Sequence, residues 1–410
     1  MTISFFTPQK QQNLRKEPII KEIGMTENQK IIHELKPFIG QIWEKVGFQT
    51  PTTIQSYAIP MIAQNKDVIA QSPTGTGKTL AYLLPVLNKI DPDKKAVQAV
   101  ILASSQELVM QILDECQKWS EGSGIRAASF IGGANVKRQL EKLKKHPQLA
   151  IGTPGRVLEL IKQKKLKMHE VKTIVLDEGD QLLVSENVEY VKQIVKSTLS
   201  DRQVVLFSAT LPDPIVKLVK DFSQEAEVIK VEKDETIVGG RVDHIYFMSE
   251  QRDKIKLIEK IFRLKNVKAL VFVKDIGNLT VLAEKLHFKQ IKVSTLHSDL
   301  NKMDRQKSIK EFREGKTPML IATDVAARGL DIQGITHVVH YDFSKDMNQY
   351  VHRSGRTGRF GASGTVISLI TEREERELKQ YANELEISVE VKRFHGENIV
   401  DLHTSSPRKR

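Results

Sequence analysis

The sequence predicts an α/β protein with two parallel sheets, each covered by helices. Short apolar runs recur along the chain, and stretches with helical periodicity separate them. Each run is bounded by polar or turn residues, as is typical of strands that are buried in a parallel sheet. A charged segment with Gly239 and Gly240 divides the runs into two sets. We therefore predict two α/β domains of the same architecture.

The individual strands follow from the positions of these runs. In the first domain we predict strands at residues 68–70, 99–103, 149–151, 173–176 and 204–207. Helices are predicted between them, for example at residues 107–119 and 136–145. In the second domain we predict strands at residues 270–273, 293–296, 319–322, 337–340 and 365–370. The alternation of strands and helices favours a doubly wound parallel sheet in each domain.

The domain boundaries follow changes in composition. Residues 1–28 are polar and are predicted to form a flexible arm, in which Met25 is a second candidate start. The first domain is placed at residues 29–231, the hinge linker at 232–241 and the second domain at 242–385. Residues 386–410 are expected to form a short basic tail.

The composition suits a protein that binds polyanions. Of 410 residues, 40% are hydrophobic and 28% are charged, which is ordinary for a globular protein. No apolar run is long enough to span a membrane, no secretory signal is recognised, and Cys116 has no partner for a disulfide. These features favour a cytoplasmic location. The net charge of +12 attracts RNA or DNA, although a solvated, lysine-rich surface would give the same value.

The strongest local motif is Ser-Pro-Thr-Gly-Thr-Gly-Lys-Thr at residues 72–79. It follows the strand predicted at residues 68–70 and precedes a helical stretch, which is the context of a P-loop. The general P-loop begins with glycine, whereas this chain has Ser72. The loop alone also fits kinases, GTPases and transporters.

Each residue type in this loop suits the binding of nucleotide phosphates. Gly75 and Gly77 allow backbone amides to approach phosphate oxygens closely, and Lys78 supplies a positive charge to the β- and γ-phosphates. The hydroxyl of Thr79 is suited to reach Mg²⁺. We therefore predict that a nucleotide binds along Ser72, Pro73, Thr74, Gly75, Thr76, Gly77, Lys78 and Thr79.

A second motif, Asp-Glu-Gly-Asp at residues 177–180, directly follows a predicted strand. It is therefore expected at the carboxyl end of that strand, beside the P-loop, where ligands bind in open α/β sheets. Asp177 is predicted to hold Mg²⁺ directly or through water. Glu178 is predicted to orient and deprotonate the attacking water, so nucleotide hydrolysis is expected.

Three arginines lie within residues 352–359, in the sequence His-Arg-Ser-Gly-Arg-Thr-Gly-Arg. An arginine finger stabilises the γ-phosphate in the transition state of phosphoryl transfer. If this segment and the P-loop act on one nucleotide, the nucleotide binds between the two domains. Hydrolysis would then open and close them.

Together these motifs resemble those of the DEAD-box RNA helicases of superfamily 2, over about residues 45–370. The resemblance implies two tandem RecA-like domains, ATP and Mg²⁺ as cofactors, and RNA as partner. The family has Asp-Glu-Ala-Asp where this chain has Gly179 in third place. A smaller residue is not expected to clash, but it is expected to loosen the loop that aims Glu178 and Asp180.

The resemblance implies further nucleotide contacts. Residues 47–55 resemble the Q motif, so Gln55 would pair with adenine N6 and N7 and favour ATP over GTP. Phe48 is a candidate contact, although core packing fits it equally well. The aromatic residue that stacks on adenine in the family falls near His33, with Phe38 as the alternative.

The second domain supplies the rest of the implied ATP site. Residues 322–331 resemble motif V, in which Gly329 and Asp331 would face the nucleotide and ribose. Residues 352–359 resemble motif VI, in which Arg356 and Arg359 would be the finger residues. The implied coupling between hydrolysis and strand separation uses Asp180, Ser208, Thr210 and His352.

The same resemblance implies an RNA path across both domains. Residues 153–156 resemble motif Ib, where backbone amides and an arginine hold phosphates. The RNA contacts implied by the family motifs are Gly133, Thr153, Pro154, Gly155, Arg156, Arg305, Thr323 and Arg328. Lys274 is expected near RNA or, equally, as an ordinary surface lysine.

Two positions depart from the family on this path. Gln106 replaces the arginine of motif Ia, and Lys302 stands where glutamine is usual. The loss of one cation predicts weaker and less salt-sensitive RNA binding than in relatives that keep the arginine.

These features predict an ATP-dependent RNA helicase that opens short duplexes locally or removes proteins from RNA. The alternative is an ATP-binding RNA clamp or annealing chaperone that hydrolyses ATP weakly because of Gly179 and Gln106. The Q motif and motif V disfavour a DNA translocase. By analogy with small bacterial members of the family, ribosomal RNA or pre-ribosomal particles are candidate partners, and a monomer is expected.

Overall fold

The computed structural model describes residues 31–133, 135–183, 186–223, 225–231, 241–327, 330, 332–358 and 362–402. Several predictions of the sequence lie outside these residues. They concern the arm at 1–28, nearly all of the hinge linker, the last residues of the tail, and the residues Arg328, Gly329, Asp331 and Arg359. The side chain of Lys302 is not described either.

The first sheet has seven parallel strands in the order β3-β4-β2-β5-β6-β1-β7. The strands are β1 Val68–Gln71, β2 Ala99–Leu102, β3 Ala127–Phe130, β4 Leu149–Gly152, β5 Thr173–Asp177, β6 Gln203–Ser208 and β7 Glu227–Lys230. Each strand predicted for this domain is present, while β3 and β7 were not predicted.

The second sheet has eight strands in the order β10-β11-β9-β12-β13-β8-β14-β15. The strands are β8 Val242–Met248, β9 Ala269–Val273, β10 Ser294–Leu296, β11 Met319–Thr323, β12 His337–His340, β13 Gly364–Ile370, β14 Val389–His395 and β15 Asn398–Asp401. Only the pair of β14 and β15 is antiparallel among these described strands. The predicted fold of two α/β domains is confirmed.

Helices connect the strands in both domains. Those of the first domain are α1 Pro37–Val46, α2 Thr53–Ala63, α3 Lys78–Lys89, α4 Gln106–Trp119, α5 Val136–Lys144, α6 Pro154–Lys162, α7 Gly179–Leu182, α8 Glu186–Lys196 and α9 Asp213–Lys220. Those of the second are α10 Lys254–Phe262, α11 Ile276–Phe288, α12 Lys302–Arg313, α13 Asp324–Ala327, α14 Met347–Ser354 and α15 Glu372–Glu384.

Apolar side chains on both faces of each sheet form the cores. Along β1, Val68 and Ala70 pack into one cluster with α1–α4, whereas Ile69 points to the opposite cluster with α5–α9. This alternation follows from the two-residue period of a strand. Burial on both faces explains why the strands appear in the sequence as continuous apolar runs.

The end of the second domain differs from the expected tail. Residues 389–391 of β14 pair in parallel with β8, and Gly396 adopts a left-handed φ of 61° before β15. The second sheet therefore continues past residue 385. Phe394 stacks on Phe247, with ring centroids 5.0 Å apart, which anchors this hairpin to the core.

Candidate functional site

The P-loop between β1 and α3 is held in shape by its own side chains. Nζ of Lys78 donates to the carbonyl oxygens of Ser72, over 2.6 Å, and Pro73, over 3.1 Å. The Thr76 hydroxyl donates its single proton to the Pro73 carbonyl. In the 2.6 Å contact between Thr76 Oγ1 and the buried Ser72 hydroxyl, Ser72 is therefore the donor. Gly77 has a φ of 87°, which favours glycine at the start of α3. Ser72 thus stabilises the loop in place of the usual glycine.

Gln55 lies against this loop and is almost fully buried. Its Nε2 donates to the Gly77 carbonyl over 3.2 Å, and its Oε1 accepts from the backbone N–H of Thr52 over 3.0 Å. The Thr52 hydroxyl donates to the Thr76 carbonyl. Each atom of the Gln55 amide has capacity for one more hydrogen bond, which is what a paired contact with adenine requires.

Asp177 ends β5 beside the P-loop and is 5% exposed. Its Oδ2 accepts from the Tyr82 hydroxyl over 2.8 Å, and its Oδ1 accepts from the Glu178 amide over 2.9 Å. Burial and the neighbouring charge of Glu178 raise the pKa of Asp177 to about 6, against the opposing effects of Tyr82 and Lys78. A cation at this carboxylate would favour its charged form.

The oxygens of Asp177 and Thr79 are the hard ligands that Mg²⁺ prefers. Each Asp177 oxygen has one hydrogen-bond donor and so keeps capacity for a metal ion or a metal-bound water. The described residues contain no group of three or more acidic, His or Cys side chains that could hold a metal ion. The oxygens of Asp177 and Thr79 alone fit Mg²⁺, because this ion typically binds through one or two protein ligands, substrate phosphates and water.

Glu178 of the acidic motif has an uncommon backbone conformation and contacts on both carboxylate oxygens. Its φ of 52° is left-handed, which is uncommon for a residue other than glycine. Its Oε2 accepts from the Ser104 hydroxyl over 2.5 Å, and its Oε1 lies 3.9 Å from Nη2 of Arg356 in the second domain. The Glu178 carboxylate therefore lies between the two domains, with Oε2 facing Ser104 and Oε1 facing Arg356.

Asp180 joins the two domains through a buried hydrogen-bond network. Its Oδ2 accepts from Thr210 Oγ1 over 2.8 Å and lies 2.6 Å from Nε2 of His352. Its backbone N–H donates to Ser208 Oγ over 3.1 Å. Burial alone would raise the pKa of Asp180, but the contacts with His352, Thr210 and Ser208 hold it below the usual value. The structure thus brings together all the residues predicted to couple hydrolysis to strand separation.

The motif VI segment lies directly against the P-loop. Thr74 Oγ1 donates to the Gly355 carbonyl over 3.1 Å. A Cβ atom on Gly355 would lie 1.9 Å from Thr74 Oγ1, so only glycine permits this approach. Arg356 is buried, and its Nη1 donates to the Leu330 carbonyl over 3.0 Å. A cavity of about 380 Å³ lies beside these groups, lined in part by Glu178, Asp180 and His352.

The second surface of interest lies at the start of α6 and α4. We call Gln106, Gly133, Thr153 and Arg156 the predicted RNA surface. Arg156 Nη1 lies 3.3 Å from Glu159 Oε2, yet neither its Nε nor its Nη1 has a hydrogen-bond partner among the described residues.

The backbone around this surface is suited to anions. Pro154 and Gly155 open α6, where the first amides of a helix have no intrahelical acceptor and favour negative charge. Gly133 has a φ of 68°, and a Cβ atom there would lie 3.9 Å from Gln106 Nε2. The loop at Gly133 and the start of α4 at Gln106 therefore lie side by side.

The remaining predicted RNA contacts lie in the second domain. Arg305 Nη2 lies 2.7 Å from Glu107 Oε1 of the first domain and donates to the Ala326 carbonyl over 2.8 Å. Thr323 ends β11 and is 7% exposed. Lys274 is exposed, with its backbone N–H bound to Asp342. Arg305 therefore forms a domain–domain contact in this arrangement.

The aromatic candidates for adenine occupy different surroundings. Phe48 is 43% exposed and packs against Trp43 and Trp119, with centroid distances of 5.1 and 6.2 Å. Phe38 packs against the core of the first domain, whereas His33 is exposed. The packing alternative for Phe48 thus has direct contacts in the structure.

Comparison with known proteins identifies the family. Residues 52–218 match the DEAD/DEAH box helicase domain, and residues 253–361 match the helicase conserved C-terminal domain. A probable ATP-dependent RNA helicase of Bacillus subtilis, YfmL, is 54% identical over 91% of this chain and 98% of its own length. This chain belongs to the DEAD-box ATP-dependent RNA helicases.

Other relatives agree with this assignment. The DEAD-box ATP-dependent RNA helicase CshC of Bacillus cereus is 47% identical, covering 93% of this chain and 97% of that protein. The structure of Dbp5 from S. cerevisiae bound to RNA and ADP BeF3 aligns with a TM-score of 0.79 and 30% identity, over 88% of this chain and 94% of that one. The helicase is thus an ATP-hydrolysing enzyme with tandem RecA-like domains.

Several contacts around the candidate site of the helicase were not predicted. Arg353 binds Asp324 with two contacts of 2.6 and 2.7 Å and donates to the Asp342 carbonyl, which ties motif VI to α13. The roles of Ser104 and Tyr82 were not predicted either.

None of the described helices is long and apolar enough to cross a membrane.

Proposed function

We propose that ATP binds between the P-loop and motif VI and is hydrolysed only when the domains are together. Lys78 and the P-loop amides would hold the β- and γ-phosphates, while Gln55 would recognise adenine. Arg356 would stabilise the charge that develops on the γ-phosphate. Arg359, Gly329 and Asp331 are assigned to the nucleotide by the family motifs alone.

The chemical step assigned to Glu178 is proton abstraction from water. The water oxygen bonds to the γ-phosphorus, the bond from this phosphorus to the bridging oxygen breaks, and ADP leaves with that electron pair. One proton of the water passes to Glu178, and the other stays on the oxygen that is now bonded to phosphorus. Asp177 and Thr79 would hold Mg²⁺, which neutralises phosphate charge when bound.

We further propose that RNA lies along the predicted RNA surface and continues over Arg305, Thr323 and Arg328. Arg156 supports this path because it lies in the first turn of α6, beside backbone amides that favour an anion. Its Nε and Nη1 are buried and would have to turn outward to reach RNA. Closure around ATP would bend one RNA strand, which then cannot remain paired. This gives local, non-processive opening of short duplexes or displacement of proteins from RNA.

The observation that carries the proposal is the junction of Asp180 with His352, together with the approach of Arg356 to Glu178. Both contacts join motifs of the nucleotide site across the two domains. They make hydrolysis depend on whether the cleft between the two domains is open or closed.

The test compares RNA-stimulated phosphate release by the wild type and by Glu178→Gln. Loss of a general base typically costs about 10²–10⁴-fold in rate, so the variant should bind ATP yet release phosphate far more slowly. Glu141→Gln, an exposed change on α5, is the matched control and should behave as wild type. Equal, slow release by wild type and Glu178→Gln would instead favour the ATP-binding clamp.

We propose a monomer that acts on RNA in the cytoplasm, with ribosomal RNA or pre-ribosomal particles as candidate targets. Sequencing of RNA crosslinked to the protein in cells would test the targets. Enrichment of ribosomal RNA supports this assignment, and its absence contradicts it.

A further inference from the structure

Ser104 makes a contact that no motif in the sequence indicates. Its hydroxyl donates to Oε2 of Glu178 over 2.5 Å, although the two residues are 74 positions apart. The family pattern has proline at this position of motif Ia, and proline has no side-chain donor. The contact is therefore a property of this chain rather than of the family pattern.

The sheet explains why these two residues meet. Strands β2 and β5 are adjacent, and Leu102 pairs with Leu176 in their register. Ser104 and Glu178 each lie two residues beyond that pair, at the same carboxyl edge of the sheet. Strand pairing therefore places the two backbone segments side by side, and the Glu178 side chain spans the remaining distance to the Ser104 hydroxyl.

The second oxygen of Glu178 faces the other domain. With Oε2 bound to Ser104, Oε1 is the oxygen near Arg356, at 3.9 Å, and the residue lines the cavity between the domains. We propose that Ser104 is a positioning residue that holds the Glu178 carboxylate so that Oε1 accepts the proton of the attacking water. This inference rests on the proposed role of Glu178 as the base.

The segment that contains Ser104 also connects other parts of the molecule. The next residue, Ser105, caps α4 by accepting from the Leu108 amide, and Glu107 pairs with Arg305 of the second domain. A shift at the start of α4 would therefore move the donor to Glu178. Glu107 and Ser104 are three residues apart in the chain, and the hydrogen bond from Ser104 to Glu178 then connects the RNA side of the molecule to the proposed base.

The test measures RNA-stimulated hydrolysis for Ser104→Ala, Ser104→Thr and Ser197→Ala. A misplacement of about 1 Å can cost about 100-fold in rate, so we expect Ser104→Ala to lower kcat on the order of tenfold, with KM for ATP unchanged. Ser104→Thr keeps a hydroxyl and should recover most of kcat. Ser197 follows α8, donates to the Ile194 carbonyl and contacts none of the residues assigned to the site, so Ser197→Ala should keep the wild-type kcat. Melting temperatures identify any variant that fails to fold.

A double variant separates this inference from the proposed function. In a Glu178→Gln background, Ser104→Ala should cause no further loss, because the group that it positions is already disabled. Wild-type kcat in Ser104→Ala, a change in KM alone, or no recovery in Ser104→Thr would overturn the inference while leaving Glu178 as the base. Wild-type kcat in Glu178→Gln would overturn the proposed function itself.

Discussion

The nucleotide cleft and the predicted RNA surface are organised to different degrees. In the cleft, Asp177, Glu178 and Asp180 each receive specific hydrogen bonds, and Asp180 is bridged to the second domain. On the RNA surface, Gln106 stands where the family has a cation. Arg156 is ion-paired with Glu159 over 3.3 Å, and its buried Nε and Nη1 have no hydrogen-bond partner among the described residues.

This difference suggests how the work is divided between the two ligands. A preorganised site stabilises charge without rearrangement, so the cleft is suited to catalysis once the domains meet. A surface with fewer cations binds phosphates less tightly and releases them more readily. We therefore expect ATP, more than RNA, to determine the stability of the closed state.

The largest effect is expected from Arg356→Ala. An arginine finger is worth about 10³–10⁵ in rate, so hydrolysis should fall by at least about 10³-fold while ATP binding remains. Single-turnover phosphate release and nucleotide titration measure the two quantities. Arg373→Ala, on the exposed face of α15, is the control. Wild-type turnover in Arg356→Ala would show that the site is not shared between the domains.

His352→Ala should weaken the ATP-dependent part of RNA binding. The lost contact joins the domains at a buried carboxylate, and a hydrogen bond to a charged group is worth about 1.5–3 kcal/mol. RNA affinity should fall about 10–100-fold with a non-hydrolysable ATP analogue and should not change without nucleotide. His395→Ala, an exposed change, provides the control. An equal loss with and without nucleotide would contradict a role in closure.

Gly179→Ala tests how tightly the acidic motif is packed. A Cβ atom at Gly179 would lie 2.7 Å from Cγ of Leu206, so the family's alanine does not fit here unless Leu206 moves. Overpacking of this kind typically costs about 1–3 kcal/mol, which should lower the melting temperature. Gly40→Ala is the matched control because a Cβ atom there meets nothing within 4 Å. An unchanged melting temperature for Gly179→Ala would mean that glycine leaves the loop loose.

The smallest effect is expected from Gln106→Arg on the predicted RNA surface. One added phosphate contact should raise the magnitude of the salt slope by about 0.7 for single-stranded RNA, with a modest gain in affinity. The measurement is RNA affinity over a series of salt concentrations. Gln333→Arg adds the same charge at an exposed residue of the second domain, before β12 and outside the predicted RNA surface, and should leave the slope unchanged. Equal slopes for Gln106→Arg and wild type would show that residue 106 does not contact RNA phosphates.

The sequence predicted the parts of the structure that depend on local patterns. The strand at residues 337–340 has the predicted bounds, and the P-loop and the acidic motif both lie at the carboxyl edge of the first sheet. Strand β6 lies between the strands that carry them, and this strand order was not predicted. In contrast, β14 was not predicted because its charged residues alternate with apolar ones, which resembled a basic tail.

The contacts between distant residues could not be predicted from the sequence. Ser104 and Glu178 meet through the order of the strands, and Glu107 meets Arg305 only because the domains come together. The expectation that Gly179 loosens its loop considered its size alone. Its packing against Leu206 depends on the distance between α7 and β6, which the sequence does not encode locally.

Cys116 offers a direct way to observe the domains moving. It is the single cysteine of the chain, it is fully buried, and burial raises the pKa of its thiol to about 12. Its thiol is therefore inert towards maleimides in the folded protein. Lys144→Cys and Phe288→Cys place one exposed thiol on each domain. A donor and an acceptor dye on this pair would report opening and closing by single-molecule energy transfer, with Cys116 left in place.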